Sequence, residues 1–194
     1  MPAKPDEPGE VALQPQSSAR EAAALVELIV FPNIGQKLVE LLGRAEQSVV
    51  GTAYCFDLEE GVEALHQLAQ NGIAVRVLLD AGQRAKPSCR QQSPRVCQLL
   101  GAGVEFKELS LKSRGEYAIL HAKTWAIDGS TYIGGSANFT RNACRSEENL
   151  VIIRDEKFLN DYHVWFCQLW DSEASRTLIK DDFLPSDASL SRPN

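Results

Sequence analysis

The sequence has no run of 18 apolar residues, so it offers no membrane-spanning helix. It has no C-x-x-C pair and no Cys/His cluster with ligand spacing, which argues against a zinc centre. Nothing in it calls for a metal or a cofactor. Its five cysteines are odd in number and form no disulfide framework, so all five are expected as reduced thiols. Cys55 and Cys167 sit in apolar stretches and read as small buried hydrophobes. Positive charge is also in deficit. Twenty Lys and Arg face 26 Asp and Glu, giving a formal charge of −6 and a pI near 5.2. That argues against a protein holding nucleic acid by bulk charge alone. The first residues, Met1-Pro2-Ala3-Lys4-Pro5 followed by Asp6, Glu7, Pro8 and Glu10, lack the apolar core of a signal peptide. They are too acidic for a transit peptide, and an intracellular, cytoplasmic protein is expected.

What is present fits one soluble domain. The 194 residues suffice for one core, and 44% hydrophobic with 24% charged residues is ordinary for a globular chain. Residues 1–24 read as a disordered polar tail, 25–171 as the domain, and 172–194 as an acidic tail. The charge is uneven. Residues 84–145 hold ten Lys or Arg and four acids, a net of +6, whereas 26–83 hold three bases and eight acids, a net of −5.

Strand-like and helix-like segments alternate along the body. Leu25–Phe31 and Ser48–Phe56 read as strands, with Asn33 capping a helix that carries Ile34, Leu38, Leu41 and Leu42. Asp57 can cap a second helix with Val62, Leu65 and Leu68, and Ile73–Leu79 is a third strand. A basic loop over 81–92 holds Arg84, Lys86 and Arg90. Ser93-Pro94 then opens a helix that stops by Gly101 and Gly103, and Val104–Leu109 is a strand. A final helix over Glu156–Trp170 carries an aromatic stripe for the core, with His163 facing solvent. These units predict an α/β fold with a mixed, mostly parallel central sheet and helices on both faces.

The chemistry concentrates in 117–150. Leu120-His121-Ala122-Lys123 puts His121 and Lys123 on one face of an extended chain. Asp128-Gly129 signals a tight hairpin, after which Ser136 and Asn138 are again two apart. An imidazole, an ammonium, a hydroxyl and a carboxamide would thus meet at one end of the sheet. The set suits a phosphodiester. Neutral His attacks phosphorus, protonated His supplies the leaving group's proton, and Lys123 and Asn138 hold phosphoryl oxygens. Gly134 and Gly135 would let backbone approach the phosphate. Taken singly, each residue has a plainer reading: a packed His, a solvated Lys, a turn-forming Asp, loop Ser and Asn. The conjunction is what points to a site.

His121, Lys123 and Asp128 match the H-x-K-x4-D signature of the phospholipase D superfamily, and Gly135-Ser136-Ala137-Asn138 matches its G-S-x-N extension. The resemblance covers roughly 25 to 170. Glu148, leading into Leu150–Ile153, resembles the acidic position that pairs with the catalytic His. A small chain with one motif is similar to the Nuc-type endonucleases and the Zucchini or mitochondrial cardiolipin hydrolase group. The resemblance implies a phospholipase D-like fold and a metal-free phosphodiesterase working through a covalent phosphohistidine. His121, Lys123, Asp128 and Glu148 would be catalytic, with Ser136, Asn138 and Lys123 binding substrate. The mechanism needs two histidines, and His66 and His163 lie outside the motif. A homodimer sharing one site would supply the second His121. Animal members of the Zucchini group carry an N-terminal anchor and a Cys/His insertion near the first helix. Here the N-terminus is polar and residues 32–48 hold neither Cys nor His. A mitochondrial surface location follows from the resemblance alone.

Two substrates remain open. Single-stranded nucleic acid would follow the basic residues Arg84, Lys86, Arg90, Lys112 and Arg114. An anionic phospholipid such as cardiolipin would be drawn by the same charges, although no amphipathic surface helix stands out. A silent binding module is the third reading, and the intact residue set argues against it.

Overall fold

The computed structural model describes residues 25–84 and 86–183. The tail expected over 1–24 lies outside the described residues. In chain order the elements are β1 (Val26–Val30), α1 (Ile34–Leu42), β2 (Ser48–Ala53), α2 (Glu59–Gln70), β3 (Ala74–Asp80), α3 (Gln92–Ala102), β4 (Glu105–Leu109), β5 (Thr124–Ile127), β6 (Thr131–Gly135), β7 (Asn149–Ile153), α4 (Glu156–Trp170) and β8 (Ser175–Thr177).

Period-2 alternation sorts the sheet's side chains onto two faces. One face, with Val49, Val75, Val77, Leu79, Trp125, Ile127 and Ile133, packs under α1, α2 and α3. Their buried stripes are Ile34, Leu38, Leu41 and Leu42, then Val62, Leu65 and Leu68, then Val96 and Leu99. The other face, with Leu78 and Ala126, meets Leu159, Tyr162, Phe166 and Trp170 of α4. The aromatic stripe is therefore core, while Phe158 and His163 are exposed.

Helices do cover both faces, but the sheet is mostly antiparallel rather than mostly parallel. Its order is β1-β7-β6-β5-β2-β3-β4-β8. β2–β3 and β3–β4 are parallel, and the other five pairings are antiparallel. The reason is local. Helical crossovers make the first half parallel. In the second half the Asp128-Gly129 turn, with φ of +52° and +61°, folds β6 straight back on β5.

Two further differences matter. Cys55 and Cys89 form a disulfide, correcting the expectation of five reduced thiols; Cys97, Cys144 and Cys167 are free. Folding of the β3–α3 loop toward the end of β2 brings the pair to 5.8 Å between Cα atoms, a spacing that sequence separation does not reveal. The sheet also runs past residue 171, where β8 pairs with β4 and Leu178 is buried. Residues 184–194 lie outside the described residues.

Candidate active site

The β2–α2 and β3–α3 turns and the segments entering β5 and leaving β6 all lie on one edge of the sheet, at the C-terminal ends of the parallel strands. His121 and Lys123 occupy an extended stretch just before β5. A polar ladder beneath fixes that stretch. Thr52 Oγ1 bonds the Ala122 carbonyl at 3.2 Å and Thr124 Oγ1 at 2.8 Å, and Thr124 Oγ1 meets the Tyr162 hydroxyl at 3.0 Å.

Lys123 is 8% exposed. Its Nζ lies 2.9 Å from His121 Nε2 and donates to the His121 carbonyl at 2.7 Å. With the ammonium donating, Nε2 is the acceptor and the imidazole is neutral. Burial, then the Lys123 charge, push the His121 pKa down, and the Asp80 carboxylate pushes back. Burial also lowers the Lys123 pKa, opposed by Glu148. The Tyr54 ring meets His121 edge-on at 4.7 Å, with Lys123 Nζ 5.4 Å from its centroid.

Glu148 and Ser136 join this group. The Ser136 hydroxyl donates to Glu148 Oε2 and accepts from the Asn149 backbone N–H at 3.1 Å. Asn138 precedes Phe139, whose carbonyl accepts from the Asp57 and Leu58 N–H groups and whose ring stacks on Phe56 at 4.7 Å. The α2 entry thereby anchors Asn138, whose buried carboxamide oxygen has no hydrogen-bond partner among the described residues. Asp57, expected to cap α2, instead accepts from the Arg141 N–H at 3.0 Å. The glycines serve packing: a Cβ on Gly135 would strike the Asn149 carbonyl, and one on Gly134 the Tyr132 ring.

Asp128 stands apart. It lies past the far end of β5, five residues or about 16 Å of extended chain from Lys123. Its carboxylate accepts from the N–H groups of Glu46, Gln47 and Ser48 at 2.8–2.9 Å, pinning the start of β2 to the hairpin. Burial opposes its ionisation, but the three N–H groups outweigh that and hold its pKa below the usual range.

Of the basic residues, Arg84 turns inward, 3.8 Å from Glu108 and 5.6 Å from the Phe183 ring. Lys86, Arg90, Lys112 and Arg114 are exposed. Clefts of about 700 and 750 Å³ lie along α1 and α2, and neither is lined by His121 or Lys123. Among the described residues no His, Cys, Asp and Glu group could hold a metal ion. No described helix is long and apolar enough to cross a membrane.

The family model described as "Cardiolipin synthase, PLD-like domain" matches residues 38–170. The chain belongs to this PLD-like family. Among curated relatives, the PLD-like chain is 29% identical over 139 residues to a phospholipase D of Rickettsia prowazekii, covering 71% of this chain and 63% of that one. It is 29% identical over 135 residues to a mitochondrial cardiolipin hydrolase of Xenopus laevis, covering 69% and 59%. The chain thus spans roughly 60% of the length of the curated relatives it matches. Solved structures share the PLD-like fold. Nuc, a phospholipase D family member from Salmonella typhimurium, aligns with a TM-score of 0.68 at 20% identity, over 79% of this chain and 97% of that one. NucT from Helicobacter pylori aligns at 0.62 and 21%, over 79% and 98%.

Tyr54 and Asp80 were not signalled by the sequence motif. A tyrosine closing an apolar strand and an aspartate ending another were the available cues.

Proposed function

We propose that this chain is a phosphodiesterase that works through a covalent phosphohistidine on His121. The observation that carries the reading is the 2.9 Å contact between Lys123 Nζ and His121 Nε2 on an exposed edge. The Nε2 lone pair attacks phosphorus, and the bond to the leaving oxygen breaks. A second, protonated imidazole gives that oxygen its proton, then takes one from water as water breaks the P–N bond. Lys123 turns from Nε2 to the phosphoryl oxygens, joined by Asn138 and Ser136. Glu148 holds the Ser136 hydroxyl and balances the Lys123 charge. Asp128 supports the hairpin that delivers β5.

The second imidazole is the partner His121 of a homodimer. β1 supports this reading. It is an edge strand, and its Val26, Leu28 and Val30, on one face, are 60%, 64% and 51% exposed. A second copy would cover that surface.

The substrate is a phosphodiester of single-stranded nucleic acid or of an anionic phospholipid. Exposed Lys86, Arg90, Lys112 and Arg114 favour a polyanion. Tyr117, 86% exposed, and exposed Ile119, just before His121, favour a lipid surface. The test is a side-by-side assay of EDTA-treated protein on single-stranded DNA or RNA and on cardiolipin vesicles. Activity on one of them, abolished by His121→Ala in a folded protein, is expected. Near-normal turnover by that variant, or complete loss with EDTA restored by added metal, would overturn the reading.

A further inference from the structure

Asp80 ends β3 and is 3% exposed. Its Oδ2 accepts from the Leu120 N–H at 2.8 Å, and its Oδ1 accepts from the Gly82 N–H at 3.0 Å and Gln83 Nε2 at 3.2 Å. All three donors are neutral, and among the described residues no Lys or Arg forms an ion pair with it. Gln83 is itself 1% exposed. A buried carboxylate without a cation is costly, yet here its two oxygens serve three donors, which an asparagine, turning its NH2 toward the Gly82 N–H and Gln83 Nε2, could not do. Beyond holding the loop, the same carboxylate is placed where its charge can be used.

That use lies one residue away. Leu120, itself buried, immediately precedes His121. We propose that Asp80 is a positioning residue for His121, fixing its backbone through Leu120 and supplying the negative charge that supports a positively charged imidazole. The proposal rests on the reading of His121 as the reacting imidazole. An imidazole that attacks phosphorus, or that carries a proton to the leaving oxygen, gains positive charge. Lys123 and Tyr54 touch His121, the Asp80 carboxylate acts on it from the neighbouring Leu120 N–H, and Glu148 acts on Lys123. Lys123 opposes cationic charge on the ring, Tyr54 is neutral, and Asp80 supports it. The two-dimensional ¹H–¹³C signals of His121 report this balance without any turnover.

The experiment compares the full chain with D80N by NMR titration of His121, assigned through H121Q, together with kcat/KM against pH on whichever phosphodiester the chain cleaves. Loss of the charge should move the His121 midpoint to lower pH by about half a unit, roughly threefold in proton affinity. The acid limb of kcat/KM should follow it, and kcat should fall about tenfold. An unmoved midpoint in folded D80N overturns the proposal, whatever happens to Tm. Should D80N not fold, D80E carries the test, because it keeps the charge and changes the reach. The wild-type acid limb with a lowered kcat supports positioning, and an unaltered kcat contradicts it. Failure of the His121 reading shows separately, as turnover by His121→Ala.

Discussion

Lys123 keeps an ammonium at 8% exposure with a histidine nitrogen and a carbonyl as its nearest partners. Burying a charge this way lowers stability, a cost retained where the site uses the charge. Lys123→Met, of similar length, should therefore leave Tm unchanged or raised while kcat falls a hundredfold or more, as expected for a lost phosphoryl contact. Thermal melting and steady-state kinetics check this, and wild-type kcat would contradict it. At this scale much was legible. His121 and Lys123 are two apart in an extended chain, as are Ser136 and Asn138, so one-face placement follows from backbone period alone. Tyr54 and Asp80 were not legible. Tyr54 meets the His121 ring from the end of β2 and Asp80 takes the Leu120 N–H from the end of β3, and no local spacing encodes those contacts.

Asp128 matters to the elements. One side chain at +52° φ makes the β5–β6 turn and receives three N–H groups from the α1–β2 connection. Asp128→Asn should lower stability by roughly 1.5–3 kcal/mol at neutral pH, the worth of hydrogen bonds to a charged acceptor. The folded-state pKa is depressed, so this contribution is full above the unfolded value and is lost as pH falls through the folded one. The wild-type advantage should thus shrink below about pH 4, as urea melts at pH 7 and pH 3.5 would register. An equal gap at both pH values would contradict it. Element types were readable from apolar period. Sheet direction was not, because a strand–helix alternation in the first half says nothing about a hairpin-built second half. The Cys55–Cys89 bond was missed for the same reason: it joins two turns 34 residues apart in sequence.

For the whole molecule, the acidic total is misleading. The edge that holds His121 carries exposed Lys86, Arg90, Lys112 and Arg114, and the −6 arises elsewhere along the chain. One chain presents one motif histidine, so the proposed chemistry is complete in two copies, with the apolar face of β1 available for contact. The chemistry proposed for those two copies turns on a covalent bond to His121. It is tested most directly by quenching a turnover mixture at alkaline pH, where phosphohistidine survives, and mapping the adduct by mass spectrometry. A substrate-derived phosphoryl group is expected on the His121 peptide during turnover, absent in His121→Ala. Full turnover with no adduct, or with the adduct on His66 or His163, would contradict it.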